Sequence, residues 1–362
     1  MGTIGLPTPV VRTPTLDPGT SFTAHSEESL LDTFGRRARD LRISLTDFCN
    51  LRCSYCMPAE GVEFMPRDQA MSAEEIIRFA RIGVERFGVD QIRFTGGEPL
   101  TRHDITDIIA GVAALTPRPN IALTTNAIGL DKRAAKLKEA GLDRINVSLD
   151  TVDADTFAEI TRRPFLQRVL DGIQGAKDAG LDPVKINAVL LPGVNDTQAP
   201  DLLQWCLDHG LSLRFIEQMP LDAGHSWDRG TMITAADVFA LLEPRFVLTP
   251  DEAPRGGAPA EKFRVASRED PDTDLGDVGI IASVTRPFCA DCTRTRLTAE
   301  GRVRTCLFSR TEVDLLAALR SGATDEEIAN LWKGAHWAKL AGHGMDSADF
   351  TQPQRPMSAI GG

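Results

Sequence analysis

Six short strand-like runs alternate with helical stretches between residues 41 and 219, and this alternation constrains the fold more than any other sequence feature. The strand-like runs are 41–46, 91–95, 120–125, 144–150, 184–191 and 212–219. A capping-box pattern at Ser72 and Glu75 predicts the start of the first helix, and Gly88 suits its end. Further helical stretches are 103–115, 131–140, 165–179 and 197–209. This order predicts parallel βα units, which form either an open doubly wound sheet or a partial barrel.

Residues able to carry chemistry follow these strands at their carboxyl ends. In both architectures, functional groups gather at that edge of the sheet. The residues concerned are Cys49 to Cys56 after the first strand, Gly96 and Gly97 after the second, Thr124, Ser148, and Met219. We therefore expect one site built from several strand ends.

Three cysteines in the spacing C-x3-C-x2-C, namely Cys49, Cys53 and Cys56, follow the first strand. Thiolates are soft ligands that suit zinc and iron–sulfur clusters. Three is one fewer than a closed 4Fe–4S cluster takes from protein. One iron would stay open, and an open coordination position is typical of a catalytic metal site.

A zinc site is the main alternative for this triplet, because C-x2-C pairs commonly bind zinc. A closed zinc site needs a fourth ligand, yet the sequence has no His between Ser26 and Arg102 and no Cys between Cys56 and Cys206. A disulfide scaffold is disfavoured as well, since the chain has 7 Cys in 362 residues. Cys206 lies among Leu and Trp residues of a predicted helix and is expected in the core.

The pattern changes after Pro220. A predicted helix at 235–242 precedes short strand-like pieces at 245–248, 262–265 and 278–284. A second cysteine triplet follows, formed by Cys289, Cys292 and Cys306. Between residues 286 and 310 six Arg are opposed only by Asp291 and Glu300, although the net charge of the chain is −11. Broad attraction to nucleic acid is therefore disfavoured, whereas a local arginine cluster suits a small polyanion.

These motifs together resemble the GTP 3′,8-cyclase family of molybdenum-cofactor biosynthesis, within the radical S-adenosylmethionine (SAM) superfamily. The resemblance rests on the first triplet with Tyr55 before its last cysteine, on the sequence 96–99 (GGEP), on the second triplet followed by Arg294-Thr295-Arg296, and on the terminal Gly361-Gly362. It implies an α/β fold with an open, partial (β/α)6 barrel and a smaller α+β C-terminal domain that carries a second cluster. Residues 41–220 would form the barrel, 221–362 the C-terminal domain, and 1–40 a mobile extension.

The resemblance also implies a ligand for each motif. The first triplet would hold a 4Fe–4S cluster that binds SAM, with Tyr55, Gly97, Ser148 and Met219 as SAM contacts. Cys289, Cys292 and Cys306 would hold a second 4Fe–4S cluster, whose open iron binds the purine of GTP. The GTP contacts implied are Arg42, Arg93, Thr124, Lys185, Arg294, Thr295 and Arg296. Arg214 is a further candidate, and the tail Gly361-Gly362 would enter the active site.

The implied activity is that of a radical SAM lyase. A 5′-deoxyadenosyl radical would remove hydrogen from C3′ of GTP, and C3′ would attack C8. Reduction and protonation of the cyclised radical would then give (8S)-3′,8-cyclo-7,8-dihydroguanosine 5′-triphosphate. The implied partners are an electron donor such as flavodoxin or ferredoxin and the next enzyme, cyclic pyranopterin monophosphate synthase; the sequence also allows a homodimer. No apolar run approaches the roughly 18 residues of a membrane span, so we expect a cytoplasmic protein.

Three other functions compete with this interpretation. A radical SAM peptide maturase also carries C-terminal cysteines, but more of them, enough to close a cluster. An iron–sulfur electron carrier would not need six βα units. A zinc-binding interaction protein would contain zinc without labile sulfide, so metal analysis separates it from the others.

Overall fold

In the computed structural model, residues 29–347 and 349–361 are described, and they build one twelve-stranded sheet flanked by helices. The strands are β1 Asp40–Ser44, β2 Gln91–Thr95, β3 Asn120–Thr125, β4 Arg144–Ser148, β5 Val184–Val189, β6 Ser212–Ile216, β7 Phe246–Pro250, β8 Glu261–Ser267, β9 Asp274–Ile281, β10 Arg294–Leu297, β11 Arg302–Arg304 and β12 Val313–Asp314. The helices are α1 Ala73–Phe87, α2 Ile105–Ala113, α3 Ala134–Glu139, α4 Ala154–Thr161, α5 Leu166–Asp178, α6 Ala199–Asp208, α7 Ala235–Leu242, α8 Leu315–Arg320, α9 Asp325–Trp337 and α10 Met357–Ile360.

Strands β1 to β6 lie side by side in chain order and are all parallel, as the sequence predicts. Along each of these strands, successive side chains point alternately to the two faces of the sheet. One set, which includes Ile43, Phe94 and Phe215, is fully buried in the main hydrophobic core with residues of the flanking helices. The other set is mostly polar or charged and faces a common lumen, so the six strands form the expected open (β/α)6 barrel. This alternation is why arginines occur in otherwise apolar strands.

The first helix follows the predicted signals closely. Ser72 accepts a hydrogen bond from the backbone of Glu75 in a complete capping box, and Gly88 ends α1 in the left-handed conformation at φ 67°. Helix α4 is missing from the sequence-based expectation. Asp153 caps it by accepting a hydrogen bond from the backbone of Thr156.

The chain after residue 220 extends the barrel sheet at both of its edges. β9 pairs in parallel with β6, and β10 pairs in parallel with β1. Strands β8 and β7 continue one edge antiparallel, and β11 and β12 continue the other. The last strand-like piece predicted from the sequence ends at residue 284, yet residues 294–297 and 302–304 are also strands. Their arginines mask the strand pattern. Arg294 and Arg296 line the cavity, whereas Arg302 and Arg304 form ion pairs with acidic residues such as Glu312.

The prediction of a mobile extension over residues 1–40 needs correction for its last part. Residues 1–28 lie outside the described part of the chain. Leu30 and Asp32 are fully buried, the backbone of Leu31 bridges to that of Arg37, and Asp40 already begins β1. Residues 29–39 therefore belong to the folded body.

Candidate active site

Both cysteine triplets line one cavity of about 350 Å³ at the carboxyl ends of the barrel strands. The cavity wall also contains Arg42, Tyr55, Arg93, Gly96, Gly97, Thr124, Ser148, Arg214, Met219, Arg294 and Arg296. These residues come from β1, β2, β3, β4, β6 and β10 or from the loops that follow them, so the structure brings several strand ends to one cavity, as the topology predicts. Cys206 lies elsewhere: it is fully buried in α6 within the hydrophobic core.

The loop that carries the first triplet is hydrogen-bonded along its length to the loop after β2. The backbone N–H of Gly97 donates to Thr46 O at 2.7 Å, and that of Glu98 donates to Phe48 O at 2.7 Å. A Cβ atom on Gly97 would lie 2.3 Å from Phe48 O and 2.4 Å from Asp47 O. The glycine at this position is therefore required by the close approach of the cysteine loop, a reason the sequence alone does not reveal.

The other side of the same loop is held by the end of α4. The N–H groups of Arg52 and Ser54 donate to Thr161 O at 3.0 Å and Ile160 O at 2.9 Å. Arg162, in the left-handed conformation at φ 56°, donates from Nη1 to Arg52 O and to the carbonyl of residue 57, both at 2.9 Å. Arg162 is a positioning residue missed from the sequence because α4 is not predicted.

The three thiols of the first set lie in a setting that disfavours a free thiolate. Burial raises the pKa of Cys49 to about 12 and that of Cys56 to about 11, and it raises the pKa of Cys53 well above its ordinary value. A bound cationic metal group would supply the charge that these thiolates need. The donor set therefore fits an iron–sulfur cluster.

The described residues contain no group of three His, Cys, Asp or Glu side chains arranged around a single metal ion. Cluster ligands surround a group of several atoms and need not converge on one point. A zinc site would require ligands that converge on one point, whereas a cluster site would not.

Tyr55 is anchored by its hydroxyl group, which donates to Asp150 Oδ2 at 2.9 Å. Asp150 also accepts a hydrogen bond from the backbone of Val189 at 2.9 Å, and burial raises the pKa of its carboxyl group to about 6. The aromatic residue between two cysteines is thereby tied to the ends of β4 and β5.

Glu98 connects the first triplet to β3. Its buried carboxylate accepts hydrogen bonds from Leu100 N at 2.9 Å, Thr125 Oγ1 at 2.6 Å and Asn126 N at 2.7 Å. The side chain of Asn126 then donates to Asn50 Oδ1 at 2.6 Å, next to Cys49. This chain of contacts is a second positioning element that sequence patterns do not indicate.

Basic side chains concentrate in the lower part of the lumen, where β1, β2, β6 and β10 contribute Arg42, Arg93, Arg214, Arg294 and Arg296. Asp40 lies 3.7 Å from Arg42 as a counter-charge. The Nε atoms of Arg42, Arg93 and Arg214 are buried without a hydrogen-bond partner among the described residues.

Burial and the neighbouring arginines shift the pKa values of these cations downward. Burial, with the charge of Arg42, lowers the pKa of Arg93 to about 9, and the same causes lower that of Arg214 to about 10. Buried like charges cost free energy unless an anion compensates them. The lumen is therefore built for a polyanion.

Two predicted GTP contacts are placed differently. Thr295 is fully buried, and its hydroxyl group accepts a hydrogen bond from Trp332 Nε1 of α9 at 3.1 Å, so its side chain lies outside the cavity wall. Lys185 shares the lumen face with Asn187 but lies two residues nearer the start of β5, half-buried and also outside the wall. Burial, with the charge of Arg214, lowers the pKa of Lys185 to about 8.

Two cations, Arg294 and Lys339, lie beside the second triplet. Lys339 is buried, and its Nζ donates to Cys292 Sγ at 3.3 Å and to Arg294 O at 3.0 Å. Burial opposes ionisation of Cys292, but the charges of Arg294 and Lys339 outweigh it and lower its pKa to about 5. Burial raises the pKa of Cys289 to about 11. A preformed thiolate and two further thiols at one wall again fit a cluster.

The C-terminal tail reaches both parts of the cavity. The backbone N–H of Met357 donates to Leu221 O at 2.9 Å, and that of Ser358 contacts the sulfur of Cys56. Gly361 O accepts a hydrogen bond from Arg296 Nη1 at 3.2 Å. Gly362 lies outside the described residues. The described part of the tail therefore lies against two residues of the cavity wall, Cys56 and Arg296.

No helix in the described part of the chain combines the length and apolar character that crossing a bilayer requires.

Comparison with known proteins places these features in a family. Residues 43–206 match the radical SAM superfamily model, and residues 211–345 match the model named Molybdenum Cofactor Synthesis C. A GTP 3′,8-cyclase of Paenarthrobacter nicotinovorans is 57% identical over 343 residues, which cover 92% of this chain and 97% of that protein. A GTP 3′,8-cyclase of Mycobacterium marinum is 55% identical over 362 residues, covering 100% of both.

Among solved structures, the crystal structure of Streptococcus suis SuiB matches with a TM-score of 0.52 at 16% identity, over 82% of this chain and 71% of that one. At this identity the likeness concerns the fold alone. The matches over the whole chain, together with two cysteine triplets at one cavity, establish that this chain belongs to the GTP 3′,8-cyclase family of the radical SAM superfamily.

Proposed function

We propose that this protein converts GTP into (8S)-3′,8-cyclo-7,8-dihydroguanosine 5′-triphosphate, the first step of molybdopterin cofactor biosynthesis. The proposal rests on one observation: two cysteine triplets line the same cavity as a group of arginines whose buried Nε atoms lack hydrogen-bond partners among the described residues. One triplet suits a radical source, and the other suits a substrate anchor beside the lumen.

Cys49, Cys53 and Cys56 would hold the first 4Fe–4S cluster, and Cys289, Cys292 and Cys306 the second. When bound, the first cluster and SAM supply a 5′-deoxyadenosyl radical, which is the chemistry that protein side chains lack. Glu98, Asn126 and Arg162 keep the first cysteine loop in place through the contacts described above. Gly97, Ser148 and Met219 line the space next to this loop, where SAM would lie.

The arginines of the lumen would bind and orient the triphosphate. Arg42, Arg93, Arg214, Arg294 and Arg296 present guanidinium groups that can form paired hydrogen bonds with phosphate oxygens. Thr124 lines the same wall. Asn146 links it to Arg214, because the side chain of Asn146 accepts a hydrogen bond from Arg214 at 2.6 Å and donates one to Thr124 Oγ1 at 3.4 Å. Because the triphosphate is fixed at one end and the purine at the second triplet, C3′ and C8 of GTP would be held in position for bond formation.

Lys185 and Thr295 have weaker roles in this proposal. Lys185 adds long-range positive charge at the bottom of the lumen. Thr295 keeps β10 against α9 through Trp332, and it would reach a ligand only through its backbone.

The partners we propose are a one-electron donor such as flavodoxin or ferredoxin, a second copy of the chain, and cyclic pyranopterin monophosphate synthase as the consumer of the product. We place the enzyme in the cytoplasm.

The reaction is tested by anaerobic turnover of reconstituted protein with GTP, SAM and a reductant. We expect 5′-deoxyadenosine and the cyclised nucleotide in equal amounts, and about eight iron atoms per chain for two 4Fe–4S clusters. Deoxyadenosine without a cyclised product from GTP would reject the substrate, and zinc without labile sulfide would reject the reaction class.

Deleting Gly361 and Gly362 is expected to abolish cyclisation while both clusters remain. The deletion removes the acceptor of Arg296 and the contact of Gly361 with Ser44 and Thr95, but it leaves α10 in place. Product analysis and iron content measure the two effects separately. A second variant, Gly361→Ala, tests the fit, because its Cβ atom would lie 2.8 Å from Thr95 Cγ2. Turnover at the wild-type rate in the deletion variant would refute this role.

A further inference from the structure

Asp32 and Arg36 form a buried ion pair in the segment that precedes β1. Arg36 Nε lies 2.5 Å from Asp32 Oδ2, and the side chains are 5% and 0% exposed. Asp32 Oδ1 also accepts hydrogen bonds from the backbone N–H groups of Phe34 at 2.9 Å and Arg36 at 3.0 Å. The carboxylate therefore fixes both the local turn and the orientation of the guanidinium group.

The remaining nitrogens of Arg36 reach two distant parts of the chain. Nη1 donates to Cys289 O and to Ala341 O, both at 2.8 Å, and Nη2 donates to Leu340 O at 2.7 Å. A planar guanidinium group can serve three carbonyl groups from one fixed position, which a lysine ammonium cannot do with the same geometry. Arg36 thus joins the start of the second cysteine loop to residues 340–341.

Residues 339–343 wrap the second triplet on this side. Lys339 Nζ donates to Cys292 Sγ, and the backbone N–H of His343 bonds to Cys289. The point where Gly342 would carry a Cβ atom lies 3.9 Å from Cys289 Sγ. Displacing this turn would therefore move groups that contact two of the three thiols.

We propose that Asp32 and Arg36 are positioning residues for the second cluster, and that the segment before β1 is part of the second-cluster site. This inference rests on the proposed function, because it requires Cys289, Cys292 and Cys306 to hold a cluster. Residues that hold metal ligands in place act on the metal group through those ligands, and losing such contacts typically weakens metal binding about 10- to 100-fold.

The test uses full-length chains that keep one cluster each. One background carries Cys49→Ser, Cys53→Ser and Cys56→Ser; the other carries Cys289→Ser, Cys292→Ser and Cys306→Ser. Into each we would introduce Arg36→Met, and also Asp32→Asn with Arg36→Met, which leaves no unpaired buried charge. Arg39→Met is the matched control, since Arg39 lies in the same segment and forms an exposed pair with Asp90, with side chains 61% and 47% exposed. The rate of iron release to a chelator is measured under anaerobic conditions.

We expect iron release about 10- to 100-fold faster in the background that keeps the second cluster, and no change in the background that keeps the first. Arg39→Met should change the rate of iron release in neither background, and Arg36→Lys should not restore the slow rate. Equal acceleration in both backgrounds would mean general loosening of the fold and overturn the proposal, as would no acceleration in either. Full rescue by lysine would also overturn it, because charge alone would then suffice. If the chain with only the second triplet took up no iron at all, the cluster assignment itself would fail.

Discussion

Gly97→Ala is expected to remove the first cluster and leave the second, so that iron falls from about eight to about four atoms per chain. The added methyl group would lie 2.3 Å from Phe48 O and 2.4 Å from Asp47 O. Both contacts are with backbone atoms, which cannot rotate away as a side chain would. The cysteine loop must then move off the end of β2 and lose its hydrogen bonds to Gly97 and Glu98.

The matched control is Gly334→Ala in α9, where a Cβ atom meets nothing within 4 Å. Alanine favours a helix over glycine by about 1 kcal/mol, so this variant should be as stable as the wild type or more stable, with full iron content. Circular dichroism verifies that both variants are folded, and electron paramagnetic resonance distinguishes the remaining cluster. A full iron content in the Gly97→Ala protein would contradict this prediction, because the cysteine loop would then accommodate the methyl group without losing the cluster.

Arg93→Met is expected to change stability and substrate binding in opposite directions. Without ligand, Arg93 is half-buried beside Arg42, and its buried Nε has no partner in the described structure, so a neutral side chain of similar length should raise the free energy of unfolding. With GTP, the same change would remove the charged hydrogen bond to phosphate that we propose for Arg93. Such bonds contribute about 1.5–3 kcal/mol, which corresponds to GTP binding about 10- to 100-fold weaker.

Arg118→Met is the control for this prediction. Arg118 forms a surface pair with Asp143 at 2.8 Å and donates to Gly141 O at 2.8 Å, and it does not line the cavity. The Arg118→Met variant should lose a little stability and keep its affinity for GTP. Thermal unfolding of the protein without nucleotide, together with calorimetric titration by GTP, measures both quantities. A less stable Arg93→Met protein with unchanged GTP affinity would identify Arg93 as a structural cation.

The barrel strands were predictable because their two faces meet different surroundings. The buried face of β2 carries Ile92 and Phe94, while Arg93 between them faces the lumen, and this alternation is visible in the sequence. The same argument fails for β10. Three of its four residues, Arg294, Thr295 and Arg296, are polar, and the buried hydroxyl group of Thr295 finds its partner in Trp332.

Long-range contacts explain most of what sequence patterns did not reveal. Arg36 has no local signature of function, because its carbonyl partners are Cys289, Leu340 and Ala341. Arg162 depends in the same way on carbonyl groups of the first cysteine loop. Both residues serve backbone atoms, and backbone atoms leave no pattern of residue types to recognise.

The pairing of β1 with β10 has a consequence for the order in which the chain can fold. Asp40 lies opposite Arg294, so the first strand of the barrel completes its hydrogen bonds only after nearly the whole polypeptide has been made. Contacts between such distant residues form slowly, because closing the loop costs entropy before the contacts repay it. During synthesis one edge of β1 therefore stays open, and an open edge is a site where unwanted strand pairing begins. A chain that lacks its last third would keep that edge permanently, so β10 also covers an edge of the sheet at which aggregation could otherwise begin.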